Sequence, residues 1–287
     1  MIKEDKEEKC KVFLKLMYIT NDPEVALIAE KYGVDRIWID LETLGKEERQ
    51  KDMDTVKSEH TIEDIKKIKP LLSKSEMLVR VNPWNENSIE EINGVINAGA
   101  DIIMLPMWKN VNDVKNFLDC VNGRVKTTLL LETKEAVKCI DEVLDMGGFD
   151  EIHIGLNDLH LSYGMSFMFE LLADGTVDML CNKFKEKGIL YGFGGIAKLG
   201  AGLLPSEDVI MEHYRIGSTR AILSRSFCNA NSIKDTGKID KLFSENMKSI
   251  EEYEESLINM DDMELIRNHE NVKRIVKDIV NDIKGKN

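Results

Sequence analysis

Two carboxylates follow neighbouring predicted strands, at the points where these strands end. The strand Thr127–Leu131 runs directly into Glu132, and the next strand, Glu151–Gly155, is followed by Asp158. In α/β proteins the carboxyl ends of parallel strands meet at one face of the sheet, and active sites lie there. A lone acid at such a place is more often a helix cap or a solvated loop residue. Because the two acids occupy equivalent positions, and divalent cations prefer oxygen ligands, we predict that Glu132 and Asp158 bind one metal ion.

An arginine and two further acids end the predicted strands nearer the start of the chain. The third strand ends at Val79-Arg80-Val81, and the second ends at Ile39-Asp40-Leu41-Glu42. A guanidinium is not buried without a partner, so Arg80 at a strand end indicates either an anionic ligand or a surface salt bridge. We favour the ligand, because this strand end lies at the expected active face. Asp40 and Glu42 then add two acids to the same rim.

Two glycine-containing segments near the end of the predicted sheet suggest an anion site. Residues 191–197 read Tyr-Gly-Phe-Gly-Gly-Ile-Ala, a formal G-x-G-x-x-A. A dinucleotide-binding fold needs this fingerprint after its first strand, and here it lies late in the chain. We therefore interpret it as a barrel loop that suits a phosphate or a carboxylate. The segment Gly217-Ser218-Thr219-Arg220, at the end of a predicted eighth strand, belongs to the same expected anion site.

Four histidines divide into two structural and two chemical candidates. His153 lies within a predicted strand, where a histidine is most often a hydrogen-bonded core residue. His213 is predicted at the carboxyl end of a helix, where a cation is favourable. His60 and His160 fall on the expected active face, so they are the candidates for proton transfer near neutral pH.

Charge and composition exclude several classes of protein. The formal net charge is −13, which argues against nucleic acid or an anionic membrane as a partner. No apolar run approaches the roughly 20 residues that span a membrane. The charged start of the chain lacks an apolar segment for secretion, and the five cysteines include no C-x-x-C pair. We therefore expect a cytoplasmic protein with free thiols and with neither a nucleic-acid nor a membrane partner.

The alternation of strand-like and helix-like segments predicts a (β/α)8 TIM barrel, with an open doubly wound sheet as the alternative. The predicted strands are Val12–Thr20, Asp35–Leu41, Met77–Val81, Asp101–Leu105, Thr127–Leu131, Glu151–Gly155, Ile189–Phe193 and Tyr214–Gly217. Residues 1–11 are predicted to form a charged flexible tail, residues 12–231 the barrel, and residues 232–287 an additional helical segment. The apolar residues of this last segment recur at helical spacing, so we expect it to pack on the barrel or on a neighbouring subunit.

Short motifs over residues 12–227 occur in an order and spacing that are specific when taken together. They are Ile39-Asp40-Leu41-Glu42, Val79-Arg80 with Pro83-Trp84-Asn85, Leu105-Pro106-Met107, Glu132-Thr133-Lys134-Glu135-Ala136 and Ile154-Gly155-Leu156-Asn157-Asp158-Leu159. In these residues the chain resembles the HpcH/HpaI family of metal-dependent pyruvate aldolases and, more distantly, the citrate lyase β-subunit.

The resemblance implies a TIM barrel that forms a homo-oligomer, a trimer or a hexamer. It implies that Mg²⁺, Mn²⁺ or another divalent cation binds Glu132 and Asp158, and that a 2-oxo acid such as pyruvate chelates this ion. Arg80 would then stabilise the enolate oxygen while a carbon–carbon bond is cleaved or formed, which is direct transition-state stabilisation. We expect the substrate to contact Asp40, Arg80, Gly155, Asn157 and Asp158. The second substrate is an aldehyde or acyl compound that the sequence does not identify.

The chain also departs from the aldolases. They follow I-D-x-E with a histidine that acts as the base, and Thr43 stands at that position here. The base must then be another residue, and Glu42, His60 and His160 are the candidates. We rank His160 above His60, because it lies two residues beyond Asp158, whereas His60 needs the long loop Gly45–His60 to fold over the mouth as a lid. An ionised Glu42 beside a cation is the weaker base.

Two alternatives to a pyruvate aldolase stay open at this stage. Citrate-lyase relatives also lack the histidine and carry an acid-rich start that Asp40-Leu41-Glu42 matches, so cleavage of an acyl-CoA thioester is the second enzymatic hypothesis. A barrel that binds a metal and a 2-oxo acid, but has lost the base, is the non-enzymatic one.

Overall fold

The computed structural model describes residues 13–45 and 60–285, which are built around a parallel β-sheet. Its strands are β1 Lys15–Ile19, β2 Arg36–Asp40, β3 Glu76–Arg80, β4 Ile102–Leu105, β5 Lys126–Leu131, β6 Glu151–Ile154, β7 Leu190–Phe193, β8 Gly195–Ile196 and β9 Arg220–Leu223. They hydrogen-bond in the order β7-β6-β5-β4-β3-β2-β1-β9-β8, and each of these pairings is parallel.

The sheet closes on itself at Gly194, the residue between β7 and β8. Its N–H donates to Ile154 O on β6 at 2.9 Å, and its carbonyl accepts from Ile222 N on β9 at 3.3 Å. Gly194 has φ +50°, and a Cβ there would lie 2.7 Å from the side chain of Leu156. Only glycine fits both demands. The strands β7 and β8 thus form one bent strand that joins β6 to β9, and the predicted eight-stranded TIM barrel is confirmed.

Helices surround this barrel. They are α1 Pro23–Lys31, α2 Ile62–Ile68, α3 Ser88–Ala98, α4 Val111–Val121, α5 Lys134–Lys138, α6 Ile140–Met146, α7 Leu156–Ser162, α8 Glu170–Ala173, α9 Thr176–Glu186, α10 Ser206–Ile216, α11 Thr236–Leu257 and α12 Asp262–Gly285, with 3-10 turns at Lys69–Leu71 and Ala230–Ser232. Within residues 13–45 and 60–285, none of the helices is long and apolar enough to cross a membrane.

The side chains of the strands alternate between the barrel interior and the surrounding helices. The apolar residues that point inward form one cluster, and it consists of Met17, Trp38, Leu78, Ile102, Met104 and Leu130. Their outward neighbours, such as Ile37, Ile39 and Val79, pack in the larger cluster beneath the helices. Because strand side chains have a period of two, the same inward rows continue to Asp40 and Arg80 at the carboxyl ends of β2 and β3. The alternation therefore determines which polar groups reach the mouth.

The amino-terminal end of the barrel interior contains a buried ionic network. Glu151 accepts from Arg36 Nη1, from Arg36 Nη2 at 3.0 Å and from Arg220 Nε at 2.6 Å, and Thr128 Oγ1 donates to it at 2.7 Å. Arg36 also pairs with Glu76 at 3.2 Å. The two guanidinium groups and Glu151 are almost fully buried. Each charge in this layer therefore has an oppositely charged partner, as a buried ion requires.

The predicted eighth strand is wrong in position. Tyr214–Gly217 forms the end of helix α10, and the strand follows at Arg220–Leu223. The run Tyr-Arg-Ile resembles a short strand, but Gly217 adopts φ +81° and its N–H bonds His213 O at 2.9 Å, as a helix C-cap glycine does. The Gly217–Arg220 segment consequently precedes its strand. It lies at the amino-terminal end of the barrel, away from the mouth where an anion site was expected.

The two carboxyl-terminal helices pack on the barrel of their own chain. In α11, Phe243 and Ile250 are buried, and the Phe243 ring contacts Tyr18 of β1 at a centroid distance of 5.0 Å. Glu254 of α11 accepts from Leu14 N at 2.9 Å. The apolar face that suggested self-association is thus covered by the barrel, and the oligomeric state stays a prediction. The predicted charged tail, residues 1–11, lies outside the described residues.

Candidate active site at the barrel mouth

The carboxyl ends of β2 and β3 bring two acids and one arginine together. Arg80 donates from Nε to Asp40 Oδ1 at 2.8 Å and from Nη2 to Asp40 Oδ2 at 2.9 Å, and its Nη1 pairs with Glu42 Oε2 at 3.1 Å. The guanidinium also lies over the Trp38 ring, 5.3 Å from its centroid. Burial by itself would lower the pKa of Arg80. The negative charges of Asp40 and Glu42 outweigh this effect and raise the pKa above the usual arginine value. Arg80 is therefore a fixed cation at the mouth, with a second N–H left on each terminal nitrogen.

Glu132, directly after β5, is a buried carboxylate in unfavourable surroundings. Burial raises its pKa well above the usual value, and the carboxylates of Asp158 and Glu42 raise it further, while Arg80 acts in the opposite direction. Its Oε1 accepts from Met107 N at 3.0 Å. Gly155 lies against its other oxygen, since a Cβ on that glycine would be 2.8 Å from Oε2. The Glu132 carboxylate is thus held in place, but the described residues around it do not supply enough positive charge to offset its burial and its acidic neighbours.

Asp158 and Asn157 lie in the first turn of helix α7, which begins at Leu156 immediately after β6. The helix dipole favours an acid at this position. Asp158 is partly exposed and Asn157 is exposed, so both are accessible from the mouth. The electrostatic effect of Asp158 on Glu132 shows that the two predicted metal ligands lie near each other.

The helix also fixes the direction of His160. Two residues along an α-helix correspond to a turn of about 200°, so His160 and Asp158 project from nearly opposite faces of α7. His160 is 7% exposed, and its Nδ1 lies 3.1 Å from Leu156 O. A carbonyl only accepts, so Nδ1 carries the proton and Nε2 the lone pair. His160 thus has the tautomer of a base, and its role stays a prediction.

His60 lies at the carboxyl end of β2. Its Nδ1 accepts from the backbone N–H of Asp40 at 3.0 Å. Since that amide only donates, the proton of the neutral ring is on Nε2, and His60 is set to donate from that atom. The structure therefore brings His60 to the same strand end as Asp40. Most of the predicted lid, residues 46–59, lies outside the described residues.

Asn82 holds the loop that follows β2. Its Oδ1 accepts from Thr43 N at 2.9 Å and from Leu44 N at 3.0 Å, and its Nδ2 donates to Leu41 O at 3.2 Å. Thr43, at the position of the aldolase histidine, is exposed and bound to this amide. Asn82 was not predicted to have a role, although its place two residues after Arg80 at a strand end was a signal for one.

The remaining predicted polar features are structural. A Cβ at Gly192 would lie 2.4 Å from Arg220 O, so close packing explains that glycine of the G-x-G-x-x-A segment. Burial lowers the pKa of His153 to about 4, and its Nε2 bonds to Gly194 O. His213 was predicted to be a cation, but burial lowers its pKa to about 3, with His153 contributing. It is neutral and stacks on Phe193 at a centroid distance of 3.8 Å.

The donor set at the mouth fits a hard divalent cation. In the part of the chain that the structure describes, no group of three or more histidine, cysteine or acidic side chains is placed to hold a metal ion. Magnesium commonly uses only one or two carboxylates and completes its octahedron with water and substrate oxygens. Glu132 and Asp158 supply two carboxylates, and a cation between them would relieve the repulsion that raises the pKa of Glu132.

Comparisons with known proteins agree with this architecture. Two solved structures superpose with a TM-score of 0.59 at 14% sequence identity. One is an HpcH/HpaI aldolase from Desulfitobacterium hafniense DCB-2, with 84% of this chain and 93% of that chain covered. The other is an HpcH/HpaI aldolase/citrate lyase family protein from Burkholderia cenocepacia J2315, with 78% and 93% covered. At this identity they support the fold alone.

A search of curated proteins gave no match. The sequence itself matches the HpcH/HpaI aldolase/citrate lyase family over residues 14–169, which is more than half of the chain. This segment includes β1 to β6 and all the mouth residues described above. The chain therefore belongs to the HpcH/HpaI aldolase/citrate lyase family.

Proposed function

We propose that this protein is a divalent-metal-dependent carbon–carbon lyase that forms or cleaves a bond to the enolate of a 2-oxo acid such as pyruvate. The observation that carries the proposal is the buried Glu132 carboxylate, whose pKa is raised by burial and by the nearby Asp158, beside the fixed cation Arg80. A fold needs no such excess of negative charge, because buried charges are stable only when they are paired. A bound cation would polarise the carbonyl of the 2-oxo acid and stabilise the charge of the enolate.

The side chains of the mouth have separate roles in this reaction. Arg80 donates to the developing enolate oxygen from a terminal N–H that Asp40 and Glu42 do not use. Asp40 holds the guanidinium through two hydrogen bonds, so the donor is oriented before the substrate arrives. Asn157 and the segment at Gly155 border the substrate from the β6 side. Burial of the site strengthens each of these electrostatic contacts, because little water screens them.

We propose that His60 takes part in the reaction more directly than His160, the reverse of their predicted order. The backbone N–H of Asp40 donates to His60 Nδ1, which places this imidazole beside Asp40 at the carboxyl end of β2. His160 projects from the opposite face of α7 to Asp158, so it acts on the site less directly. The proton acceptor itself stays a prediction; of the three candidates, Glu42 is the one that pairs with Arg80, at 3.1 Å.

The decisive experiment measures metal binding and proton exchange together. Mn²⁺ or Mg²⁺ is titrated calorimetrically into the wild type and Asp158→Ala, and exchange of the pyruvate methyl protons in D₂O is followed by NMR. We expect Asp158→Ala to lose metal affinity, and exchange to fall more in His60→Ala than in His160→Ala. Equal metal affinity in the wild type and Asp158→Ala would refute the proposed site.

The same assay separates the alternatives. Metal binding without any exchange of pyruvate protons would identify a binding barrel that is not an enzyme. Cleavage of citryl- or malyl-thioesters, with no activity on pyruvate and aldehydes, would identify an acyl-CoA lyase, which the acid-rich Asp40-Leu41-Glu42 permits.

A further inference from the structure

Met107 adopts a backbone conformation that its side chain disfavours. It has φ +52°, and the only other non-glycine residue with positive φ within residues 13–45 and 60–285 is Asn122, with φ +49°. Asn122 caps helix α4, and asparagine tolerates the left-handed region. A methionine side chain cannot make the local hydrogen bond that would compensate for the cost of this backbone conformation. The conformation at Met107 therefore requires a cause in the residues around it.

The methionine side chain does not provide that cause. It is only partly buried and belongs to neither apolar cluster of the described residues. The turn that contains it is fixed by its neighbours, since Pro106 ends the strand and Thr133 Oγ1 donates to Trp108 O at 2.8 Å. Trp108 is buried. The segment is thus anchored on both sides of Met107, and the turn determines the direction of the Met107 N–H.

The target of this N–H is the Glu132 carboxylate. Met107 N lies 3.0 Å from Glu132 Oε1, and the hydrogen bond is assisted by the negative charge of its acceptor. Gly155 bounds the same carboxylate at Oε2, where a Cβ would come within 2.8 Å. One oxygen is therefore bound by the Met107 amide, and the other lies against a residue that has no side chain.

We propose that Met107 is a positioning residue, whose left-handed backbone aims its N–H at Glu132 Oε1 and so fixes the direction in which Oε2 is presented. The methionine side chain is not required for this role, but the backbone conformation is. Its consequence for metal binding rests on the proposed function, whereas the hydrogen bond itself does not. The role can therefore be tested in the metal-free protein and again with metal.

The first experiment uses the metal-free protein. The amide of Met107 is assigned by ¹⁵N–¹H NMR in the wild type and in Glu132→Gln, and its hydrogen exchange is measured in both. At a pH high enough to ionise Glu132, loss of the acceptor charge should move the Met107 amide proton upfield and increase its exchange by about 10-fold, because bonds to charged groups are the stronger ones. An unchanged amide resonance and exchange rate would overturn the proposal.

The second experiment measures Mn²⁺ affinity in a matched set of variants. Met107→Gly keeps the N–H and accepts positive φ, so its affinity should stay within about 2-fold of the wild type. Met107→Val disfavours the left-handed region and should weaken Mn²⁺ binding by about 10-fold or more. Asn122→Val introduces the same backbone conflict at a helix cap remote from the mouth, and it should lower the melting temperature without changing Mn²⁺ affinity.

These outcomes separate the two proposals. If Met107→Val loses stability as Asn122→Val does but keeps its Mn²⁺ affinity, Met107 is only a structural residue. If the wild type binds no Mn²⁺, the proposed function fails, and the amide measurement in the metal-free protein still decides whether Met107 positions Glu132. If Met107→Gly loses affinity as strongly as Met107→Val, the side chain and not the backbone is responsible, and the proposal is wrong.

Discussion

The two ends of the barrel interior are built by the same strands but differ in charge balance. At the amino-terminal end, Glu151 lies between Arg36 and Arg220. At the mouth, Arg80 faces several acids of the described residues, including Glu132, whose pKa is raised. At the amino-terminal end, burial opposes ionisation of Glu151, but the hydrogen bonds and charges of its arginines outweigh it and lower its pKa.

The contrast distinguishes a structural network from a binding site. Buried ions of balanced charge neutralise one another within the chain. An excess of buried carboxylates is neutralised only when a cation binds. The two ends should therefore respond in opposite ways when a carboxylate is neutralised. Removing Glu151 at the amino-terminal end leaves arginines without their shared partner, whereas neutralising Glu132 at the mouth relieves repulsion.

The largest effect is expected from Glu151→Gln. The substitution leaves two buried guanidinium groups without their shared carboxylate, so we expect a loss of about 3–5 kcal/mol in the free energy of unfolding. Urea denaturation would measure it. Glu76→Gln is the matched control, since Glu76 pairs with Arg36 but is 27% exposed, and its loss should stay below about 1 kcal/mol. Equal losses in the two variants would contradict the view that burial makes the network essential.

At the mouth, Arg80→Lys should affect turnover more than stability or metal binding. Lysine keeps the charge but cannot bind Asp40 through two hydrogen bonds and Glu42 through a third, so the donor to the enolate is lost. We expect turnover to fall by at least about 10²-fold, the scale of a lost oxyanion donor. Steady-state kinetics and calorimetry test this together. Full activity in Arg80→Lys would show that Arg80 only forms a structural ion pair, as Arg36 does.

A smaller effect, opposite in sign to that of Glu151→Gln, is expected from Glu132→Gln in metal-free protein. Because the folded pKa of Glu132 is raised, the unfolded chain deprotonates first, and the wild type loses stability as pH rises above about 4.3 toward the folded pKa. Glu132→Gln lacks this loss. Its melting temperature should exceed that of the wild type near pH 7, with the difference shrinking toward pH 4.

Two further measurements test the direction of this pH dependence of stability. For Glu151, whose pKa is lowered, the stabilising contribution is present at neutral pH and is lost as pH falls below about 4.3. Saturating Mn²⁺ should stabilise the wild type and not Glu132→Gln. A melting-temperature difference between Glu132→Gln and the wild type that does not change with pH would show that the carboxylate repulsion is unimportant.

The fold was largely predictable, because strand periodicity and glycine or proline boundaries are local signals. The motifs that end strands β2, β3 and β5 placed Asp40, Arg80 and Glu132 at one face, since the carboxyl ends of parallel strands must meet there. The predicted eighth strand failed because Tyr214–Ile216 is short, and only packing decides whether such a segment is a helix or a strand.

Finer details of the site were not predictable. Distance along the chain does not show where His160 points, because a helix turns residues two apart to opposite faces. The charge of His213 depends on burial, which no local pattern shows. The left-handed backbone of Met107 has no sequence signal, because methionine is not a residue that favours it.

The pairing of β1 with β9 has a consequence for biosynthesis. Lys15 to Met17 pair with Arg220 to Ile222, and Leu14 N bonds to Glu254, 240 positions further along the chain. During translation, β1 therefore emerges long before the strand that covers its edge. Its open N–H and C=O groups are a template for pairing with other nascent chains until the barrel closes. The edge of β1 that β9 covers thus stays open for most of the time that the ribosome takes to complete the chain.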